Sequence, residues 1–327
     1  MKPEVSVIIS TYNRSNTLPT ALDSLLEQER PPSYEIIVVD NNCSDNTRDI
    51  VENYAQKDGR VRYILERNQG LSHGRNAGIR AALADILAFT DDDVCVARDW
   101  IANIKCIAQK HPECGVIGGK VLPRWPGTPP SWLHEGHWAP LALVDYGRPQ
   151  VISSSNRRTL IGANMVIRRQ VFEQIGLFAA NYQRVKDGIG STEDQELQDR
   201  YWQTGGLGYF HPDLLVKADI QPERLCKRYH RRWHLGHGKM LARMRDPEIE
   251  GSSALALRIP RYMFRECASL ACKWLGAMLR GKPDNAFLYE VRICFYLGFI
   301  RERLPQRADA RFADSEIKRS SYFGRRV

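Results

Sequence analysis

Three adjacent carboxylates, Asp91-Asp92-Asp93, follow the apolar run Ile86 to Phe89. Neighbours of like charge repel one another unless a cation or several donors neutralise them. A hard divalent cation such as Mg²⁺ is held by one or two carboxylates, with substrate phosphates and water as its other ligands. Asp40 closes a second apolar run, Glu35 to Val39, and Thr11 and Asn13 follow the first. A carboxyl group there can pair with the donor edge of a nucleobase, and a hydroxyl can add to it; the same residues also suit plain turns. In Asn68 to Gly78, three glycines surround Arg75 and Asn76. A guanidinium beside backbone N–H groups at a helix start suits a pyrophosphate, and its rival is a structural loop with an exposed arginine. Finally, Glu193 and Asp194 follow Gly188, Gly190 and Thr192. Carboxylates at a helix start either cap it or accept the proton of a hydroxyl.

These residues need elements to place them. Val5 to Ile9, Glu35 to Val39, Val61 to Leu65 and Ile86 to Phe89 read as strands covered on both faces. Helices are predicted between them over Thr17 to Glu29, Thr47 to Gln56 and Arg75 to Leu83, with Ser44 as N-cap of the second. This alternation predicts an α/β fold with a mainly parallel, doubly wound sheet, whose ligands bind at the carboxyl ends of the strands. No G-x-G-x-x-G or P-loop string follows a strand, which argues against a dinucleotide dehydrogenase and a P-loop NTPase. Residues 122–150 shift to Pro, Gly, Trp and His and read as a long loop, its stretch 123–138 of the kind that serves as a binding loop or lid. Order returns at Thr159 to Ile167, followed by helices over Gln170 to Ile175 and Glu193 to Thr204.

Beyond Pro222 the pattern reads as helical throughout. A helix over 254–280 is expected, with Met263, Cys267, Leu270, Trp274 and Met278 on one face and Arg258, Arg261, Arg265, Lys273 and Arg280 on the other. A second apolar stretch runs from Phe287 to Ile300, and residues from Arg307 onward read as a disordered tail. The 327 residues carry a net charge of +9. It is uneven: in 217–327 Lys and Arg outnumber Asp and Glu two to one, which points to an anionic partner for that end. The 8 cysteines show no C-x-x-C spacing and are expected as reduced thiols. No signal peptide or spanning helix is evident, so a cytoplasmic protein, soluble or peripheral on a membrane, is expected.

Taken together, the strings resemble the family 2 glycosyltransferases with the GT-A fold. They are Val7-Ile8-Ile9-Ser10-Thr11-Tyr12-Asn13-Arg14, Ile37-Val38-Val39-Asp40-Asn41-Asn42, Asn68 to Gly78, Phe89-Thr90-Asp91-Asp92-Asp93, Gly162-Ala163-Asn164-Met165 and Glu193-Asp194. The resemblance spans Val5 to about Gly208. It implies that Thr11 and Asp40 hold the base of a nucleotide sugar, that Arg75 approaches its diphosphate, and that Asp91 and Asp93 form a D-x-D site for Mg²⁺ or Mn²⁺. Asn13, Arg14, Asn42, Asn76, Asp92 and Asn164 lie in the same strings and join the donor-binding candidates. Asp194, with Glu193 beside it, would be the catalytic base. Processive members carry Q-x-x-R-W, whereas Gln198 here precedes Asp199-Arg200-Tyr201-Trp202, which favours transfer of one sugar. Many relatives place a histidine where this chain has Asp219; Asp219, His230 and His234 stay open as completing the metal site.

The expected reaction is a metal-dependent, inverting transfer of one sugar from a nucleoside-diphosphate sugar to a hydroxyl of a glycan, a lipid-linked sugar or another acceptor, in polysaccharide or glycoconjugate biosynthesis. A sugar-phosphate nucleotidyltransferase and a non-catalytic nucleotide- or glycan-binding protein are the rival classes; nucleic acid is not an expected partner. The expected organisation is a GT-A domain over 1–221, its stretch 123–138 facing the acceptor or the sugar, a basic helical extension over 222–306 with an anionic membrane as its possible partner, and a tail over 307–327.

Overall fold

The chain was analysed as a computed structural model, which describes residues 2–182, 192–245, 255–256 and 258–304. Alternating periods produce the order β1 (Val5–Thr11), α1 (Leu18–Leu26), β2 (Tyr34–Asp40), α2 (Thr47–Lys57), β3 (Val61–Leu65), α3 (Leu71–Ala81) and β4 (Ile86–Thr90). There follow β5 (Val94–Val96), α4 (Trp100–Lys110), β6 (Cys114–Arg124), β7 (Gln150–Ile152), β8 (Met165–Arg168), α5 (Arg169–Ile175), α6 (Glu193–Gln203) and β9 (Leu207–Asp219). The strands form one mixed sheet in the order β3-β2-β1-β4-β8-β6-β9-β5, with β7 also paired to β9. β1 to β4 run parallel, while β8 lies antiparallel between β4 and β6. Every residue of β2 and β4 is buried, as helices on both faces of a parallel sheet require.

Register decides what shares the sheet's carboxyl edge. Thr11 pairs with Asp40, Asp40 with Leu65, and Ile9 with Thr90. The polar residues after β1, β2 and β4 therefore emerge side by side. Beneath them a core of Ile8, Ile37, Val39, Leu87 and Phe89 continues into Phe172 and Phe178. Both of those rings meet Phe89 edge-on, at centroid distances of 6.2 and 5.6 Å.

The chain divides into two compact units, Met1–His230 and Arg231–Val327. Helix α7 (Lys227–Met244) leads from the first into the second, where β10 (Leu255–Ala256) and β11 (Ile259–Pro260) form a small hairpin pairing before α8 (Arg261–Leu279) and α9 (Pro283–Arg303). No helix among the described residues is long and apolar enough to cross a membrane.

Several local expectations change. The helix expected over 254–280 begins only at Arg261: Ile259 and Pro260 pair with Leu255 and Ala256, so Arg258 belongs to a turn and not to a helical face. Helix α3 starts a turn earlier than expected, at Leu71. Ser44 is not the cap of α2; Asp45 Oδ1 instead accepts from the backbone N–H (3.1 Å) and hydroxyl (2.6 Å) of Thr47. The tail from Arg307 and the turn around Gly188 and Gly190 lie outside the described residues.

Candidate active site

A cleft of about 320 Å³ opens at the carboxyl edge of β1 and β4. Thr11, Arg14, Asp91, Asp92 and Asp93 line it, together with Asn41, Gly70, Ala163, Asp219 and Gln221. Position after a buried parallel strand holds the three carboxylates together despite their repulsion. Arg14 answers part of that charge: its Nη1 donates to Asp93 Oδ2 at 2.6 Å, and its Nε lies 3.9 Å from Asp92 Oδ1. Gln221 Nε2 donates to the same Asp93 oxygen at 3.3 Å. Burial, reinforced by the charge of Asp93, still pushes the Asp92 carboxyl up to about 7, with Arg14 opposing it. Three carboxylates are thus crowded at one edge of the cleft, a surplus of oxygen donors.

That surplus fits a hard divalent cation. Asp91 and Asp93 offer oxygen donors beside the cleft, the donor type that Mg²⁺ and Mn²⁺ take. Among the described residues no three His, Cys, Asp or Glu side chains gather into a closed cage. Such a site needs phosphate oxygens and water to complete its shell. Asp219 lines the cleft, but its Oδ1 is 3.0 Å from Arg124 Nε. His230 is buried, with Nε2 3.2 Å from the carbonyl oxygen of Arg224, and its ring packs against Trp132. His234 belongs to the second unit.

Arg75 makes the second half of the site. It is buried on α3, and its Nη1 donates to Asp194 Oδ1 at 2.6 Å and lies 3.4 Å from Glu193 Oε1. Its Nη2 stands 3.8 Å from Asp91 Oδ1. Burial works against this cation, but Asp194, Glu193 and Asp91 outweigh it and hold the guanidinium above its ordinary value. The backbone N–H of Gly162 donates to the other Asp194 oxygen at 2.9 Å. A Cβ at Gly162 would collide with Arg75 Nη2 and come within 2.6 Å of Asp194 Oδ2. A hydrogen atom at that position is what lets the loop, the cation and the carboxylate meet.

The other candidates hold the framework. Asp40 accepts from Cys43 N (2.7 Å) and from the Tyr63 hydroxyl (2.8 Å), so both carboxylate oxygens are engaged. Asn13 and Asn42 take left-handed backbone at the turns after β1 and β2, at φ of 51° and 64°, and Asn13 Oδ1 accepts from Ser44 N at 2.7 Å. Asn76 does not reach the cleft; it exchanges two hydrogen bonds with the backbone of Phe178, at 2.9 and 3.0 Å. Asn164 is wholly buried, accepting from Trp100 Nε1 and donating to the carbonyls of Lys120 and Leu214. The glycines of Asn68 to Gly78 divide likewise. Gly70 lines the cleft, whereas a Cβ at Gly74 or Gly78 would strike Ser10 or Ile8, so these two seat α3 on β1.

Sequence reasoning missed Asn41 and Gln221. Asn41 accepts from Gly70 N and donates to the Asn68 carbonyl, both at 2.7 Å, tying the end of β2 to the glycine loop. Its place beside Asp40 was the available signal; for Gln221 the string Ile220-Gln221-Pro222 offered little. The stretch 123–138 was expected to face the acceptor or the sugar; its Trp132 and His137 are buried against each other, and it supplies none of the residues lining this cleft, where Val121, Leu141 and Ala142 stand.

The model of the glycosyl transferase family 2 matches residues 6–176. A glucosyl-dolichyl phosphate glucuronosyltransferase of Haloferax volcanii is 27% identical over 205 residues, 62% of this chain and 64% of that protein. The putative glycosyltransferase EpsH of Bacillus subtilis is 39% identical over 104 residues, 32% of this chain and 28% of that protein. The chain thus spans less than two thirds of the length of either relative. Among solved structures, a mannosyltransferase of Pyrobaculum calidifontis in complex with GDP-Man and Mn²⁺ superposes with a TM-score of 0.58 at 18% identity, covering 90% of this chain and 87% of that one. At that identity the likeness establishes a shared GT-A fold.

Proposed function

This chain belongs to glycosyl transferase family 2, and from that premise we propose that it transfers one sugar from a nucleoside-diphosphate sugar to a hydroxyl acceptor, inverting the anomeric carbon. The observation that carries this reading is the single guanidinium of Arg75 between two carboxylate sets, Asp194 on one side and Asp91 on the other. A donor-side acidic cluster and a base are thereby held within one side chain's span. Such placement suits an in-line displacement, in which the acceptor oxygen and the leaving diphosphate sit on opposite sides of the sugar.

Asp91 and Asp93 would hold the divalent cation. When bound, that cation neutralises charge on the diphosphate leaving group. Arg14 stands ready to pair with a phosphate, since a guanidinium now given to Asp93 can be shared with an entering anion. Thr11, Asn41 and Gln69 line the end of the cleft at β1 and β2, where a base and its ribose would lie. Asp194 takes the acceptor proton: each oxygen has two lone pairs, and the bonds from Arg75 and Gly162 use one on each. Arg75 fixes that carboxylate and keeps it from turning toward the acidic trio. The Haloferax relative is named for glucosyl-dolichyl phosphate, and a glycan or lipid-linked sugar at the cytoplasmic side is the acceptor class favoured here.

The test is release of free nucleoside diphosphate from UDP-, GDP- and dTDP-sugars, with and without EDTA, in the presence of lipid-linked and soluble glycan acceptors. Release with one donor, abolished by EDTA and restored by Mg²⁺ or Mn²⁺, is expected. Release of pyrophosphate from a sugar phosphate and a nucleoside triphosphate would overturn the reading in favour of nucleotidyl transfer.

A further inference from the structure

Helix α8 has two apolar faces, and the fold uses one. Met263, Leu270 and Ala277, seven residues apart, are buried, and Met263 joins a core with Leu241, Ala242, Ile259 and Phe299 of the same unit. Of the stripe expected from the sequence, Cys267 and Trp274 are half-buried along that side. A second row, Phe264, Ala268, Ala271, Leu275 and Met278, repeats at steps of four and three residues and is exposed throughout. Phe264 is 40% exposed, Leu275 53%, Met278 47%, and the adjoining Leu279 80%. One exposed leucine calls for no account, but a continuous row running roughly 22 Å along a helix does.

The exposed charges of α8 are all of one sign, its one carboxylate, Glu266, being half-buried. Arg261 and Arg265 stand a turn apart at its start, and Arg280 and Lys282 follow its end. Among the described residues, none of these four side chains has a carboxylate within ion-pair distance. Pairing two copies through the row would set cation against cation. In the antiparallel arrangement Arg261 and Arg265 would meet Arg280 and Lys282, and in the parallel arrangement each would meet itself. Anionic head groups would answer all four. No helix among the described residues is long and apolar enough to cross a bilayer, so at a bilayer the row would lie along the surface.

We propose that this exposed face of α8 docks the protein on an anionic phospholipid bilayer, the helix lying flat with Phe264, Leu275, Met278 and Leu279 in the acyl boundary. Arg261, Arg265, Arg280 and Lys282 reach up from its edges to lipid phosphates, their aliphatic stems adding to the apolar contact. The opposite face of α8 is packed in its own unit, so the row is offered by a fixed element and not by a peptide that must first fold. The inference is independent of which sugar or acceptor the cleft takes.

The test is co-sedimentation of the full chain with vesicles of phosphatidylcholine alone and of phosphatidylcholine mixed with phosphatidylglycerol, at low and high salt. Binding to the anionic vesicles at low salt is expected, with weak binding to the neutral ones. Each change among Arg261→Gln, Arg265→Gln, Arg280→Gln and Lys282→Gln should weaken partitioning roughly fivefold. The pair Phe264→Ser and Leu275→Ser alters only exposed positions, so it should keep the helical circular dichroism and lose the binding. Absent binding, equal binding to both vesicle types, or binding indifferent to the serine pair would overturn the proposal. So would a dimer in light scattering that the serine pair dissolves, without vesicle binding, since the row would then be a self-association face. Nucleoside diphosphate release from soluble substrates reports on the cleft alone, so its outcome and that of the vesicle test fail separately.

Discussion

Asp194 accepts at both oxygens, from Arg75 at 2.6 Å and from Gly162 N at 2.9 Å, so an amide in its place would keep one of these bonds and turn its NH2 against the other donor. Asp194→Asn is nearly isosteric. It should retain donor affinity by calorimetry while losing roughly 10²–10⁴ in turnover, the usual worth of a general base. Glu193 lies deeper and contacts the same guanidinium at 3.4 Å, so Glu193→Gln should act through the placement of Arg75 and cost less. A crippled Glu193→Gln beside a mild Asp194→Asn would exchange the two roles. At the other pole, Asp93→Ala should lower turnover by orders of magnitude and weaken the dependence on Mn²⁺ concentration. Asp91 and Asp92 remain, but neither accepts from both Arg14 and Gln221 as Asp93 does. Unchanged activity of that variant in excess EDTA would remove the metal from the mechanism.

Helix α3 shows how an element can carry both packing and chemistry. Its polar face would suit solvent, yet Ser72, Arg75 and Asn76 are buried, because Gly74 and Gly78 let the helix lie directly on β1. A methyl group at position 78 would strike Ile8 Cγ2 and come within 3.3 Å of Val39 Cγ2 in the sheet core. Gly78→Ala should therefore cost about 1–3 kcal/mol, as overpacking does, despite alanine's better helix propensity. Urea unfolding would measure it, and a stabilised variant would show that the helix can lift from the strand freely. The close seat is also what brings Arg75 to Asp194, so kcat should fall in that variant even where the protein stays folded.

At the scale of the whole chain, stability should depend on pH through histidines that folding shields from water. Burial holds His230 in the first unit down to about 4, against the favourable effect of the Arg224 carbonyl, and burial likewise holds His237 in the second at about 4. The unfolded chain takes up these protons near the ordinary value of 6.5, while the folded chain refuses them until about 4. The unfolded state thus binds more protons within that window. Stability is full above pH 6.5 and declines as pH falls toward 4, by at most about 1.4 kcal/mol per pH unit for each group. Melting curves between neutral pH and pH 4 should show the decline, and His230→Leu should flatten it. Equal slopes in the two proteins would mean that His230 is open to protons in the fold.

Strand and helix periods, and the polar residues that interrupt them, were legible in the chain because buried parallel strands must read as short apolar runs and their ligand ends cannot. Thr11, Arg14, Asp91 and Asp93 follow such runs, and register alone brings them to one edge. What local pattern does not contain is which partner a polar group meets across the fold. Asn76 and Asn164 share strings with Arg75 and Ala163, yet they serve Phe178 and Trp100, more than fifty residues away in chain or across the sheet. Trp132 and His137 were read as facing a ligand and are buried together, since aromatic and imidazole rings fill a core as readily as they line a cleft. In α8 the heptad spacing of Met263 and Leu270 was visible, but which apolar face would be covered was not. Spacing sets only the angle between two rows on a helix; whether a row meets a neighbour or water depends on how distant segments fold against it, and that choice belongs to the tertiary structure.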